Sequence, residues 1–225
     1  IMTTIPQQVM QTATLVRGGE IGLANILALT VLFLATVWGI IKVQQAQRKI
    51  PIQYAKRVKG NRVYGGQTTF LPLRVNQAGV IPIIFAISVA LFPATIAQFL
   101  SNPGFVEGAA RVLHIGEDAV RNAIAAMVDF TTPGRNWFAS VLYFVLVIVF
   151  TYFYTAVTFN PEQIAENLQK NGGAVPGIRP GERTRDYLDK ILYRITLAGA
   201  LFLGVIALLQ YYVGDITGVH TFGLV

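Results

Sequence analysis

Four stretches of the chain carry no charged residue and are long enough to cross a bilayer. The first, IGLANILALTVLFLATVWGII, lies between Glu20 and Lys42. About 20 helical residues, each rising ~1.5 Å, cover the ~30 Å hydrocarbon core, so this run predicts a transmembrane helix. A second uncharged stretch lies between Arg74 and Glu107 and is less uniform, with Asn76, Gly79, Pro82 and Pro93 inside it. It predicts a span over 77–100, bent or loosened at Pro82. The third, NWFASVLYFVLVIVFTYFYTAVTFNP between Arg135 and Glu162, has aromatics at both ends, as interfacial anchors do. The fourth runs from Ile195 to Gly214, and its helix is expected to begin earlier, among charged residues. Lipid offers no partners for loose backbone, so each span must be helical.

Between these runs the pattern changes period. IPIQYAKRVKGNRVYGGQTTFLPLRVN alternates, with Ile50, Ile52 and Tyr54 on one side, and Gly60-Asn61 sits between RVK and RVY. That pattern predicts a two-stranded ribbon closed by a tight turn. Asn160-Pro161-Glu162 reads as an N-cap followed by Pro at the first helical position, and the helix PEQIAENLQK should end at Gly172-Gly173. GAARVLHIGEDAVRNAIAAMVDF contains a short amphipathic helix. Ile5, Val9, Met10, Ala13 and Val16 also approach helical spacing, as an interfacial segment or the tail of a preceding helix would. The chain opens on Ile1 and stops amid apolar residues at Val225, and both ends read as cuts in a longer protein.

Composition sharpens this picture. Hydrophobic residues make up 53% and charged residues 13% of the 225, and there is no Cys. A soluble domain carries about 25% charged residues, and half that cannot solvate such a chain. Disulfide scaffolds, thiol catalysis and Cys-based metal sites are excluded, and the apolar content excludes disorder. A polytopic membrane protein remains.

The charges orient it. Lys42, Arg48, Lys49, Lys56, Arg57, Lys59, Arg62 and Arg74 populate the first connector without an acid. Lys170, Arg179, Arg183, Arg185, Lys190 and Arg194 lie in or next to the third, against five acids. Only Arg17, Arg111, Arg121 and Arg135 fall elsewhere. The positive-inside rule therefore puts both basic connectors in the cytoplasm and 101–135 outside. In AVPGIRPGE two Pro-Gly pairs flank Arg179, a stiff loop that presents the arginine outward. A docking role and a purely topogenic charge are both open for Arg179 and for the basic ribbon.

Enzymatic chemistry is missing. There is no phosphate-binding loop, zinc-protease motif, nucleophile elbow or Cys/His metal spacing, and His114 and His220 are isolated. No cofactor is expected. No Asp, Glu, Lys or Arg lies within a span, which counts against an ion-coupled small-molecule secondary transporter, the alternative reading. A passive scaffold would leave the GIRPGE loop unexplained.

Two connectors carry a resemblance. QRKIPIQYAKRVKGNRVYGGQTTFLPLRVNQAGVIPIIFA (47–86) resembles the fourth cytoplasmic loop and seventh helix of the bacterial SecY family, pore subunits of the Sec protein translocase. FNPEQIAENLQKNGGAVPGIRPGERTRDYLDKILYRITLAGA (159–200) resembles the fifth cytoplasmic loop and ninth helix. The likeness covers essentially the whole chain, in the order of the family's second half. It implies an all-α polytopic fold: four helices, six to nine, of a ten-helix clamshell channel, with a basic cytoplasmic β-hairpin loop. The remainder of SecY would supply the other helices and the plug. The expected layout is an external or interfacial segment 1–20, helix 21–42, basic cytoplasmic loop 43–74 and lateral-gate helix 75–100. An external loop 101–135, helix 136–159, cytoplasmic loop 160–190, helix 191–214 and external end 215–225 follow.

The resemblance also implies roles. Ile84 matches an apolar pore ring, where branched side chains seal against ions yet yield to a passing chain. Taken alone, Ile84 reads as lipid-facing or core packing rather than as part of a pore. Asn76 matches a polar lateral-gate position, and Ser88 and Phe92 resemble gate- and plug-proximal positions. Arg179 matches the arginine used in engaging the ATPase SecA. Lys56, Arg57, Lys59, Arg62, Arg183 and Arg185 belong to loops that dock SecA or the translating ribosome, whose rRNA surface is polyanionic. Many members carry paired arginines where this chain has Asn61-Arg62. SecE, SecG, a nascent or preprotein polypeptide and the lipid bilayer are the remaining implied partners, in a bacterial plasma membrane. Pro82 and Gly79 either help the gate helix move or merely accommodate packing.

Overall fold

The computed structural model describes residues 23–54, 57–59, 62–64 and 68–217. The interfacial segment expected at 1–20, the turn at Gly60-Asn61, Lys56 and the end of the external tail lie outside them. Among the described residues, eight elements of helix or strand precede Trp137. They are α1 (Leu23–Gln45), β1 (Gln47–Tyr54), β2 (Arg57–Lys59), β3 (Arg62–Tyr64), β4 (Thr68–Arg74), α2 (Ile81–Leu100), α3 (Pro103–Leu113) and α4 (Glu117–Thr131). After them come α5 (Trp137–Thr158), α6 (Pro161–Lys170), β5 (Gly173–Ala174) and α7 (Glu182–Thr217). Among the described residues, four helices are long and apolar enough to cross a membrane: α1, α2, α5 and α7. The chain is a multi-pass membrane protein, as its charge-free runs require. At ~1.5 Å per residue α7 is about 54 Å long, well beyond a bilayer core, so its charged first turns extend past the apolar span.

The chain divides into two compact units. One comprises 40–82 and 148–202. Here β1 pairs antiparallel with β4, Ile50 opposite Leu71 and Ile52 opposite Thr69, and β2 pairs with β3, Lys59 opposite Arg62. The alternation read from the sequence holds: Ile50 and Ile52 are 2% and 3% exposed, while Lys49, Pro51 and Gln53 face outward. Ile50 and Leu73 share a core with Val175, Leu188 and Ile191, sealed by Phe159, Ile164, Ile178 and Ile195. Burying each such aliphatic side chain from water contributes roughly 1.5–3 kcal/mol. The sheet therefore stands on the start of α7 and does not project alone.

In the same unit, β5 adds to the free edge of β1, Gln53 opposite Ala174 and Tyr54 opposite Gly173. The ribbon expected from the first connector is thus the larger part of a three-stranded sheet, order β4-β1-β5, to which the later connector contributes. The expected N-cap is present: Asn160 Oδ1 accepts from the Gln163 N–H at 3.1 Å, with Pro161 opening α6. The helix ends at Lys170, close to the expected glycines.

The other unit comprises 1–39, 83–147 and 203–225. On α5, Ala139, Tyr143 and Val147 recur every four residues and are buried, as are Leu203 and Ala207 on α7. The Tyr143 and Tyr211 rings meet edge to face at 5.9 Å, and the Ser140 and Tyr212 hydroxyls hydrogen-bond at 2.7 Å. The 101–135 segment holds two helices where one was expected. His114, in the left-handed region at φ 54°, ends α3, and Gly116 caps α4; Val106, Ala110 and Val120 form their shared core.

Candidate functional site

The residues singled out from the sequence fall into two groups. The first lies on α2. Ile84, Ser88 and Phe92 are spaced by four and share one face of the helix. Ile84 is 58% and Phe92 64% exposed, and the Ser88 hydroxyl donates to the Ile84 carbonyl at 2.7 Å, so its polarity is satisfied locally. The opposite face carries Ala86, Ala90 and Ala97, all buried. Small side chains there permit close approach, the usual device of membrane helix packing. The bulky face is left open.

Asn76 does not join that face. It is buried, and its amide closes a turn with Gly79: Nδ2 donates to the Gly79 carbonyl at 3.2 Å, and Oδ1 accepts the Gly79 N–H at 2.9 Å. Helix α2 begins only at Ile81, which corrects the expected bend at Pro82. Pro82 occupies the second helical position, where its missing N–H costs nothing, and it is fully buried. Pro93 is the proline inside the helix.

The second group surrounds Arg179. Val175 is buried, Pro176 and Gly177 form the corner of a turn, and the Ile178 N–H donates to the Val175 carbonyl at 3.0 Å. Gly177 (φ 80°) and Gly181 (φ 99°) both occupy backbone space that side chains avoid. Ile178 packs into the core described above, so the loop is pinned on one side of Arg179. On the other side the Thr184 hydroxyl, 2% exposed, donates to the Arg179 carbonyl at 3.0 Å. The backbone is held from both directions while the guanidinium stays exposed, and no ion pair engages it among the described residues.

The neighbouring cations differ. Arg183 is exposed. Arg185 is half-buried, with Nε 4.0 Å from Asp189 one turn on. A surface pair at that distance contributes at most about 1 kcal/mol. Arg57, Lys59 and Arg62 lie on β2 and β3. Sequence reasoning missed Thr184 and Gly173. Thr184 had no signal beyond its place in the first turn of a helix. Gly173 was read only as a helix stop, although a glycine facing a packed sheet edge has a second reason to be there.

Among the described residues, no three His, Cys, Asp or Glu side chains cluster as metal ligands. The arrangement offers a charge-free helix face and a rigidly mounted cation.

The chain was compared with known proteins. The family model described as SecY matches residues 1–225. A protein translocase subunit SecY of Thermus thermophilus is 44% identical over 215 residues, 95% of this chain and 44% of that protein. One from Halalkalibacterium halodurans is 46% identical over 187 residues, 83% of this chain and 39% of its own length. One from Aquifex aeolicus is 41% identical over 209 residues, 93% and 44% respectively. The chain spans less than half the length of each of these curated relatives. A match across every residue establishes that this chain belongs to the SecY family.

Proposed function

We propose that this chain is part of a protein-conducting channel subunit that passes unfolded polypeptides across, or laterally into, a bacterial plasma membrane. The observation that carries the reading is the open Ile84–Ser88–Phe92 face of α2, in a chain matched end to end by the SecY family. A helix that buries Ala86, Ala90 and Ala97 and leaves the face of Ile84, Ser88 and Phe92 uncovered has a surface to line a constriction. Branched apolar side chains there exclude hydrated ions because dewetting a narrow ring is cheap, yet they deform around a chain. Transport of this kind needs no covalent chemistry. Energy comes from SecA or the translating ribosome, docked on the basic sheet and the Arg179 loop, with SecE and SecG completing the membrane complex. A secondary transporter would need an ionisable group near the midplane, and the apolar spans supply none.

The test is Ile84→Asn in the complete channel. A side chain that binds water in the ring should raise ion leak severalfold in planar bilayers and admit precursors with defective signal sequences. Unchanged conductance would remove Ile84 from the pore. Orientation is checked separately. Glu166→Cys, on α6, should react with an impermeant maleimide only from the cytoplasm, and Glu107→Cys, on α3, only from outside. Both are exposed, so access does not limit either reaction. The reverse pattern would invert the topology.

A further inference from the structure

A groove of about 450 Å³ lies where α2 ends and α5 begins. Ser101 follows the last residue of α2 directly, and Arg135 stands two residues before Trp137, the first of α5. A segment that joins two spans leaves lipid at the end of one and returns at the start of the other, so both residues sit at the membrane boundary. Exposed side chains nearby carry the marks of that level. Phe99 is 77% and Trp137 74% exposed, and the exposed rings of Phe130 and Phe138 meet edge to face at 6.0 Å. On α3 the exposed Phe105 and Val112 are seven residues apart and share a face, as in a helix lying along a membrane surface.

The lining is polar and apolar by turns. One side of α4 supplies Arg121, Ile124, Val128 and Asp129, and the ends of the two spans add Ser101 and Arg135. Arg121 meets Glu117 at a loose 3.7 Å, and its side chain is 61% exposed. Arg135 Nη1 holds Asp129 Oδ1 at 3.1 Å, which leaves the second carboxylate oxygen to face a ligand. The Ser101 hydroxyl donates its proton to the Ala97 carbonyl at 2.7 Å, so towards the groove it can only accept. Guanidinium donors for an anion thus stand beside acceptors for a cation that carries N–H groups.

We propose that this groove seats the head of one phospholipid of the phosphatidylethanolamine type, a phosphate joined to a primary ammonium, from the leaflet opposite the basic connectors. The phosphate takes donors from Arg121 and Arg135, and the ammonium donates to Asp129 and to the Ser101 hydroxyl. The glycerol end rests on Ile124 and Val128. Charge decides against the other common heads. A purely anionic head would put Asp129 against a like charge, and a choline head has no N–H to donate.

The experiment uses the full-length protein in its membrane complex, in detergent, with bound lipid counted by native mass spectrometry. Dioleoyl phosphatidylethanolamine, phosphatidylglycerol and phosphatidylcholine are titrated separately. Lipid contacts elsewhere on the complex are common to every variant, so the difference from wild type reads this groove. Arg121→Gln should weaken one bound phosphatidylethanolamine about tenfold, the scale of a charge-assisted hydrogen bond. Asp129→Asn should weaken it by a similar factor while strengthening phosphatidylglycerol, because the repelling charge is gone. Ala125→Trp fills the groove without touching a charge and should abolish the site. All three positions are exposed, so folding limits none of these variants. Wild-type phosphatidylethanolamine binding in both Arg121→Gln and Ala125→Trp would overturn the site. An unchanged preference in Asp129→Asn would show that the ammonium is not recognised and would sink the assignment of the head. Displacement of the lipid by millimolar inorganic phosphate would make this a free-phosphate site and refute a lipid occupant.

Discussion

Arg179→Glu is expected to cut partner-driven import by about tenfold to a hundredfold, with little change in thermal stability. The guanidinium is exposed, and the residue is held through its carbonyl by Thr184, so folding does not draw on the charge. A planar donor pair meeting a carboxylate or phosphate contributes roughly 1.5–3 kcal/mol, and each ~1.4 kcal/mol is a decade. Glutamate replaces that attraction with repulsion. Lysine keeps the charge but loses the fork, so Arg179→Lys should recover only part of the rate. Initial rates of precursor import into vesicles, beside the melting temperature of the purified complex, check both halves. If Arg179→Glu imports normally while the local topology inverts, Arg179 is a topogenic charge and nothing more.

The second large effect concerns Gly199, in the middle of α7. A Cβ built there would sit 2.5 Å from the Val75 carbonyl oxygen, 3.3 Å from its carbon and 3.7 Å from Asn76 Cα. These atoms are backbone and cannot rotate away. They belong to the turn, fastened by the Asn76 amide, from which α2 departs. Forcing extra atoms into such a contact usually costs about 1–3 kcal/mol even where side chains can move, and more against main chain. Gly199→Ala should lower the melting temperature of the complete channel, and Gly199→Val should prevent stable protein from accumulating. Gly204 supplies the comparison, because its Cβ would meet the Phe144 ring edge at 2.5 and 2.6 Å, side-chain atoms that can swing aside. Gly204→Ala should therefore be the milder change. Equal losses at the two positions would show that the Val75 backbone yields as readily as a phenylalanine ring. Such a result would refute the close-packing account.

These positions differ in how visible they were beforehand. Asn160-Pro161 and the Pro-Gly pairs around Arg179 announced themselves, because a cap or a rigid turn is decided within four or five residues. Ile50 and Ile52 were readable for a similar reason: alternation is a local consequence of the pleat, whatever the strand later packs against. Pro82 shows the limit. A proline inside an apolar run reads as a bend, and only the Asn76–Gly79 turn, placing the helix start at Ile81, makes it an ordinary first-turn proline. The division of 101–135 into two helices hung on His114 taking a left-handed conformation, which histidine's identity does not dictate.

What the sequence determined by itself is what short-range physics dictates. Four runs without charge must be helices in lipid, and the loops around Arg179 and after Asn160 take their own local shapes. Only the tertiary structure decided which distant groups meet. β5 is two residues long and has no periodicity to detect, so its pairing with β1 exists only because the core carries Val175 and Ile178 to that edge. Gly199 against Val75, Thr184 beneath Arg179 and the open face of Ile84, Ser88 and Phe92 are likewise outcomes of packing. A side chain's type fixes what it can bond to. Which partner it finds is fixed by the burial of all the others.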